Sequence, residues 1–462
     1  MIPALIIAIF VGALATFVAL RWSVTKAVLW VYLPVLLWFP LYFFWGIGGL
    51  PINASTLAGI VLVALVIKNG KHPHKFTLMD LWVFLFVLSM FNADARRHSF
   101  RVGTYAMLGM LLQCALPYFL GKMVIEQTNS RDKFVKLIVI SLACVAFISV
   151  YEFRMTFNPF QTLVERIGHY TATWPRQRRW GFARIAGPYA HSIDAGMVFT
   201  IGIMFQIWLV ATKGWWTGKK LTQFGIRKMR AKIALMSFLV CLGLFMTQSR
   251  GPWVGCCFGL IVAGVGLTRN RKRSAIIAGI LLVSSVSTFY TILNKYTDAQ
   301  ASNGSSIEQQ DAVYRRELLT TYTPLIKEGG IWGWGNPAPT SSGIGAYNLS
   351  QPSIDNEWLR VTVAQGYVGI TIFLLLFLTS IATLIKHCVI LRRREDYIFA
   401  YAMLGLLVAT AFSLTTVFLG QPMMELLFFI FGWSMSIKPS LQSAETAAIV
   451  AIPRFTFEKV YA

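Results

Sequence analysis

Residues 274–293, SAIIAGILLVSSVSTFYTIL, carry no charged side chain, and the chain then turns polar from Asn294 to Glu357 before a second apolar run at 361–385. At about 1.5 Å per helical residue, such a run crosses a hydrocarbon core roughly 30 Å thick. A membrane-length apolar run on each side of the longest polar stretch outside the tail sets the fold class. The polar stretch is one large loop between membrane helices.

The rest of the chain repeats the pattern. It is 56% hydrophobic and 13% charged, against about 25% charged in an average soluble domain. A water-soluble fold could not hide that much apolar surface. The runs predict an all-α, polytopic transmembrane helix bundle of about 12–13 spans: 2–20, 27–46, 52–67, 77–92, 103–121, 137–153, 191–212, 233–248, 252–267, 274–293, 361–385, 397–419 and 421–437. Arg21 follows the first run instead of preceding it, so 1–20 reads as a span and not as a cleavable signal. The six cysteines (Cys114, Cys144, Cys241, Cys256, Cys257 and Cys388) lie in or beside apolar runs. They have no metal spacing and form no framework in the polar loops, so they read as small core residues, with no metal site expected. Net charge is +23, but the basic residues punctuate hydrophobic spans. That pattern encodes topology, not a nucleic-acid partner.

Counting Lys and Arg loop by loop orients the chain. One set of alternating loops (21–26, 68–75, 122–136, 213–232, 269–273, 386–394) outweighs the other and is expected to be cytoplasmic. The outward set then holds 94–101, 154–190, the turn at Arg250, 294–357 and Arg360. The divisions expected are a bundle over 1–293 with a basic outward loop at 154–190, a periplasmic loop at 294–357, C-terminal spans over 358–437 and a cytoplasmic tail at 438–462. The kinds of basic residue also differ. The cytoplasmic set has 14 lysines and 10 arginines, and the outward set has 2 lysines and 13 arginines. Topology needs only positive charge, whereas a planar guanidinium fork suits phosphate, which it can bond through two oxygens at once. The bias points to an outward phosphate or pyrophosphate ligand, with compositional drift as the plain alternative.

Within the outward loops, 154–190 carries six arginines against Glu165, while 294–357 is predominantly acidic. Residues 308–327 read as an amphipathic helix with Val313, Leu318, Leu319, Tyr322, Leu325 and Ile326 on its apolar side, stopped by Gly329-Gly330. Trp332 and Trp334 then suggest an anchored turn.

Three motifs are candidates for the site. Thr247-Gln248-Ser249-Arg250-Gly251-Pro252-Trp253 joins two spans in a tight outward turn. Arg250 there is either a topology marker or a fixed guanidinium on a lipid-borne phosphate, and its outward side favours the second. Arg184-Ile185-Ala186-Gly187-Pro188-Tyr189-Ala190-His191 leads into a span, holding Arg184 and His191 near the bundle mouth. His191 alone reads first as an interfacial histidine with Asp194 as its partner. Asp355-Asn356-Glu357 sits where the large loop re-enters the membrane. Asp355 is either a helix cap or a general base for an acceptor hydroxyl. Gly214-Trp215-Trp216-Thr217-Gly218-Lys219-Lys220 has the wrong glycine spacing for a phosphate loop and follows no strand.

In this order these residues resemble the O-antigen ligase/polymerase superfamily of bacterial polysaccharide assembly. The resemblance rests on Arg184…Gly187-Pro188…His191, Ser249-Arg250-Gly251, Tyr314-Arg315-Arg316, Gly333-Trp334-Gly335 and Asp355-Asn356-Glu357-Trp358-Leu359, across about 180–437. It implies a multi-pass enzyme of the bacterial inner membrane, acting without metal or cofactor on its periplasmic face. The donor would be an undecaprenyl-pyrophosphate-linked glycan, and the acceptor another glycan or a lipid such as lipid A-core. Arg184 and Arg250, supported by Arg315 or Arg316, would hold the pyrophosphate. Asp355 would be the base, with His191, Asn356 and Glu357 supporting. Ligases of the family commonly have His-Asn where this chain has Asp355-Asn356, which leans the reading toward a polymerase or exopolysaccharide role. The alternatives are a transporter or flippase, which would need a polar path through the bundle, and a non-catalytic scaffold binding anionic headgroups.

Overall fold

A computed structural model describes residues 2–47, 50–69, 75–168, 177–216, 223–298, 307–336 and 354–439. In chain order the helices are α1 (Ile2–Arg21), α2 (Val24–Ala27), α3 (Leu33–Trp38), α4 (Ala54–Asn69), α5 (Leu78–Arg97), α6 (Phe100–Met110), α7 (Leu116–Val124), α8 (Arg131–Met155), α9 (Pro159–Gly168), α10 (Ser192–Ala211), α11 (Gln223–Met246), α12 (Arg250–Val265), α13 (Arg271–Asp298), α14 (Ile307–Gly329), α15 (Glu357–Ile390), α16 (Arg394–Ser413) and α17 (Gln421–Ser436). Two short antiparallel ribbons accompany them: β1 (Trp45–Ile47) with β2 (Leu50–Ile52), and β3 (Arg178–Arg179) with β4 (Phe182–Ala183).

Among the described residues, eight helices are long and apolar enough to cross a membrane, and three shorter apolar helices, Val24–Trp38, Ala54–Asn69 and Arg250–Val265, accompany them. The protein is an all-α polytopic bundle. Two helices contain a π-helical turn, Val28–Tyr32 before Pro34 and Leu111–Ala115 before Pro117. Each proline lacks an amide and crowds the carbonyl four residues back, and widening the turn by one residue relieves both problems while the helix continues.

Two expected spans are shorter than their apolar runs. The run 27–46 stops being helical at Trp38, because Phe39, ahead of Pro40, is extended (φ −95°, ψ 133°). The run 397–419 ends its helix at Ser413, and 414–420 is an irregular segment. The predicted amphipathic helix exists as α14, and Leu318, Tyr322 and Leu325 are buried, but Leu319 is exposed. Val313 lies outside the side chains described. Residues 154–168 and 177–190, expected as loop, contain α9 and the β3–β4 hairpin.

The core is centred on α17, where Phe428, Phe429 and Trp433 are fully buried. It packs so closely on α7 that a Cβ on Gly432 would sit 1.9 Å from the Tyr118 carbonyl. Small residues at such crossings let backbones approach and pack where lipid offers no hydrophobic drive.

The loops divide between two ends. At the lysine-rich end, Lys122 bonds both oxygens of Asp80 (2.8 and 2.6 Å). There too, Arg131 bonds Glu126 (2.8 and 2.6 Å), Asp396 (2.7 Å) and the Lys438 carbonyl (2.7 Å). These groups are buried, and Tyr118 also donates to Asp80 and Trp433 to Glu126. At the opposite, arginine-rich end the helices break and polar turns gather.

Candidate active site at the arginine end

The decisive break is in α15. Gly366 adopts φ 66°, ψ −164°, so Glu357–Gln365 and Tyr367–Ile390 are two helical pieces. The Gly333-Trp334-Gly335 segment fills the gap. Trp334 and Gly335 amides donate to the Val363 and Ala364 carbonyls (2.9 and 2.8 Å), and the Val368 amide donates to Ile331 (3.2 Å). Each bond serves a backbone group that the interrupted helix leaves open. A Cβ on Gly333 would lie 2.4 Å from the Gly366 nitrogen, and one on Gly366 would lie 2.3 Å from the Ile331 carbonyl. The glycines are therefore required by contact, not only by conformation. The Trp334 indole donates to the Leu325 carbonyl (2.7 Å), and Arg97 lies 4.2 Å above its ring. The predicted anchored turn is present, and it ties α14 to α15.

Immediately before α15, Asn356 is the cap and accepts the Leu359 amide (3.1 Å). This corrects the expectation that Asp355 caps the helix: Asp355 is one residue too early for that geometry. Asp355 is half-buried and near Tyr322 of α14. Burial, and then the Asp355 charge, push the Tyr322 hydroxyl above its ordinary pKa. That hydroxyl is buried and has no hydrogen-bond partner among the described residues. Glu357 grips Arg360 through both oxygens (2.7 and 2.6 Å) and accepts the Leu419 amide (3.0 Å). Its own amide reaches the Leu414 and Val417 carbonyls (both 2.9 Å). Glu357 thus braces the 414–420 segment.

The same segment meets two other motifs. Gly420 donates its amide to Asp194 (3.2 Å), and His191 packs its ring 4.9 Å from Phe418. His191 caps α10, accepting the Asp194 amide at Nδ1 (3.4 Å), and its Nε2 lies 3.2 Å from Asp194 Oδ2. Both ring nitrogens face Asp194, the partner expected from the sequence. On the other side, a Cβ on Gly251 would lie 2.1 Å from Thr416 Oγ1. The start of α12 therefore abuts the 414–420 segment.

The two principal arginines meet at the 247–250 turn. Arg184 donates from Nε to the Thr247 carbonyl (3.3 Å) and from Nη2 to Ser249 Oγ (3.0 Å), while Nη1 reaches Gln177. Ser249 directly precedes Arg250, the exposed first residue of α12. Arg179 donates to the Gln248 carbonyl (2.8 Å), and the Gln248 amide group donates back to Arg179 (2.9 Å). Gln248 is left-handed (φ 49°), a conformation that costs a non-glycine residue and that these reciprocal bonds hold in place. Behind Arg184, Glu152 accepts the Ala186 and Gly187 amides (3.0 and 2.9 Å) and the Asn158 side chain (3.0 Å). Its carboxylate fixes the turn that carries Arg184. The structure thus brings Arg184, Arg250, His191 and the 355–357 motif around one end of α10, α12, α15 and the 414–420 segment. Arg315 and Arg316 are on α14, but their side chains are outside those described.

Residues 235–374 match the family model for O-antigen ligase. Over that stretch the chain is similar to the O-antigen ligase family, the one its motifs resemble. No curated protein matches the chain. The matched stretch contains Arg250, Arg315, Arg316, the glycine–tryptophan clip and Asp355-Asn356-Glu357, while Arg184, His191 and residues 414–420 lie outside it. Sequence reasoning named Asp194 and Glu357 but missed the brace made by Glu152 and the 414–420 segment. Glu152 and Asp194 did carry a signal: both are acidic residues in apolar runs, near their arginine-side ends.

Proposed function

We propose that this protein is a metal-independent glycosyltransferase of the bacterial inner membrane that transfers or polymerises undecaprenyl-pyrophosphate-linked glycan on the periplasmic face. The observation carrying this reading is the bond of Arg184 to Ser249, which ties the loop of one arginine to the residue directly before the other, Arg250, in a chain with an O-antigen ligase-type stretch. In the proposed step an acceptor hydroxyl oxygen attacks the anomeric carbon of the donor sugar. The bond from that carbon to the pyrophosphate oxygen breaks, and undecaprenyl pyrophosphate leaves with the electron pair. Charge develops on the leaving group, and preorganised guanidinium groups with the N-terminus of α12 suit it. The hydroxyl proton passes to Asp355, with Arg315 or Arg316 as further anion partners. A carboxylate at this position favours polymerisation or exopolysaccharide assembly over ligation to lipid A-core.

Orientation follows from the loops. The hydrogen bonds between them join segments assigned to the same side, as in Arg131 with Asp396, or Asp94 with Asn336. A flippase would need a polar path to the far end, and the buried charges described there are engaged with one another, Asp80 with Lys122 and Glu126 and Asp396 with Arg131, which supports transfer over transport. Incubating the purified protein in nanodiscs with lipid-pyrophosphate glycan, with and without lipid A-core, tests the reading. Chain growth without lipid A-core is the expected result. Product only with lipid A-core makes it a ligase, and no transfer under either condition by folded protein removes the proposal.

A further inference from the structure

Packing alone does not account for the tyrosine at position 322. The residue is 1% exposed, on the face of α14 where Leu318 and Leu325 meet Ile354, Leu359 and Val363. Every other buried member of that cluster is aliphatic, and a phenylalanine ring would fill the same space. The Tyr322 hydroxyl is buried and has no hydrogen-bond partner among the described residues. A buried hydroxyl without a partner costs free energy that the bare ring does not, and native structures retain few of them. The charge that reaches this hydroxyl is that of Asp355, the residue after Ile354 of the same cluster. Of the other charged side chains described near this contact, Glu357 holds Arg360 through both oxygens, and Lys327 and Glu328 are exposed, more than a turn beyond Tyr322. The flanking backbone is fixed on both helices. Trp334 donates to the Leu325 carbonyl of α14 (2.7 Å), and Asn356 caps α15 (3.1 Å).

Resting on the proposed function, we infer that Tyr322 is a positioning residue: in the loaded site its hydroxyl donates to one carboxylate oxygen of Asp355 and leaves the other oxygen to the acceptor hydroxyl. With one oxygen held, the base keeps a fixed direction toward the proton it takes. The donated bond also favours the charged form of the carboxylate, the form able to take that proton. No proton leaves Tyr322 in this arrangement. Burial and the Asp355 charge both oppose its ionisation, so the hydroxyl stays a donor.

Tyr322→Phe removes one oxygen and keeps the ring, so it separates positioning from packing. A purely structural role predicts full turnover, with a melting temperature unchanged or slightly raised as the unpartnered hydroxyl goes. The inference predicts the same melting behaviour but a kcat lower by roughly 10- to 100-fold, the range of one hydrogen bond to a charged group. The KM for lipid-pyrophosphate glycan in nanodiscs should stay within about twofold, because donor binding is untouched. The acid limb of the pH–rate profile should move up by about one unit, because losing the donor disfavours the charged carboxylate. On the residual turnover of Asp355→Asn, adding Tyr322→Phe should cost nothing further, since Tyr322 acts through Asp355. An unchanged kcat and pH profile, a loss of turnover that follows a fall in melting temperature, or a full additional loss in the Asp355→Asn background overturns the inference. If Asp355→Asn keeps wild-type turnover, the base assignment of the proposed function fails and the inference with it. Loss in Asp355→Asn beside a fully active Tyr322→Phe condemns only the role of Tyr322.

Discussion

The two ends of this bundle bury charge with different emphasis. At the lysine-rich end carboxylates pair with cations: Asp80 with Lys122, and Glu126 and Asp396 with Arg131. At the arginine-rich end Glu357 also pairs with a cation, Arg360, but Glu152 and Asp194 are turned toward backbone amides, of Ala186 and Gly187 and of Gly420. The first arrangement consumes its cations and closes a surface. The second spends its carboxylates on holding turns in shape, so that Arg184 and Arg250 stand around a shared turn. The contrast is between side chains paired with one another at one end and carboxylates that hold turns at the other, the end where the anion site is proposed.

Substitutions at four positions can break or sharpen that contrast. Asp396→Ala strips a buried partner from Arg131, and removing one member of such a cluster costs about 3–5 kcal/mol. Thermal unfolding in detergent should show the loss, with turnover per folded molecule unchanged. A selective loss of turnover would mean that the lysine-rich end does more than close. Arg250→Ala should do the reverse, lowering turnover by about 10²–10³-fold with an unchanged melting temperature. Arg250→Lys should recover little of it, because an ammonium cannot reproduce the two-bonded fork; recovery with lysine would reduce Arg250 to a headgroup contact. Gly366→Ala places a side chain in a conformation costing about 1–3 kcal/mol and against the Ile331 carbonyl. Both stability and activity should fall, since the clip belongs to the fold and frames the motif at 355–357. Glu152→Gln keeps one acceptor oxygen and removes the charge, a difference of about 1 kcal/mol. A severalfold rise in donor KM without a change in melting would place Glu152 behind Arg184. A loss of stability alone would leave it structural.

Most of the bundle was legible because membrane helices announce themselves through uninterrupted apolar length. The arginine turn was legible for a related reason: the count of basic residues assigns Arg184 and Arg250 to the side where topology does not ask for positive charge. The irregular segment 414–420 was not. Leu414-Thr415-Thr416-Val417-Phe418-Leu419 is apolar enough to pass for the end of a span, and what unwinds it is a set of distant groups, Glu357 and Asp194. The break at Gly366 was hidden for the same reason. Gln365-Gly366-Tyr367 is unremarkable in an apolar run, and its left-handed glycine is supported only by a segment some thirty residues earlier. The cap shifted from Asp355 to Asn356 because either residue type can cap, and the choice depends on where the brace to Leu414 and Val417 starts the helix.

The central claim is that the arginine-rich end holds a diphosphate. A structure of the protein with undecaprenyl pyrophosphate bound tests it most directly. The account predicts diphosphate density within hydrogen-bond distance of both Arg184 and Arg250, beside the first turn of α12. Density at the lysine-rich end, or touching neither arginine, would contradict it.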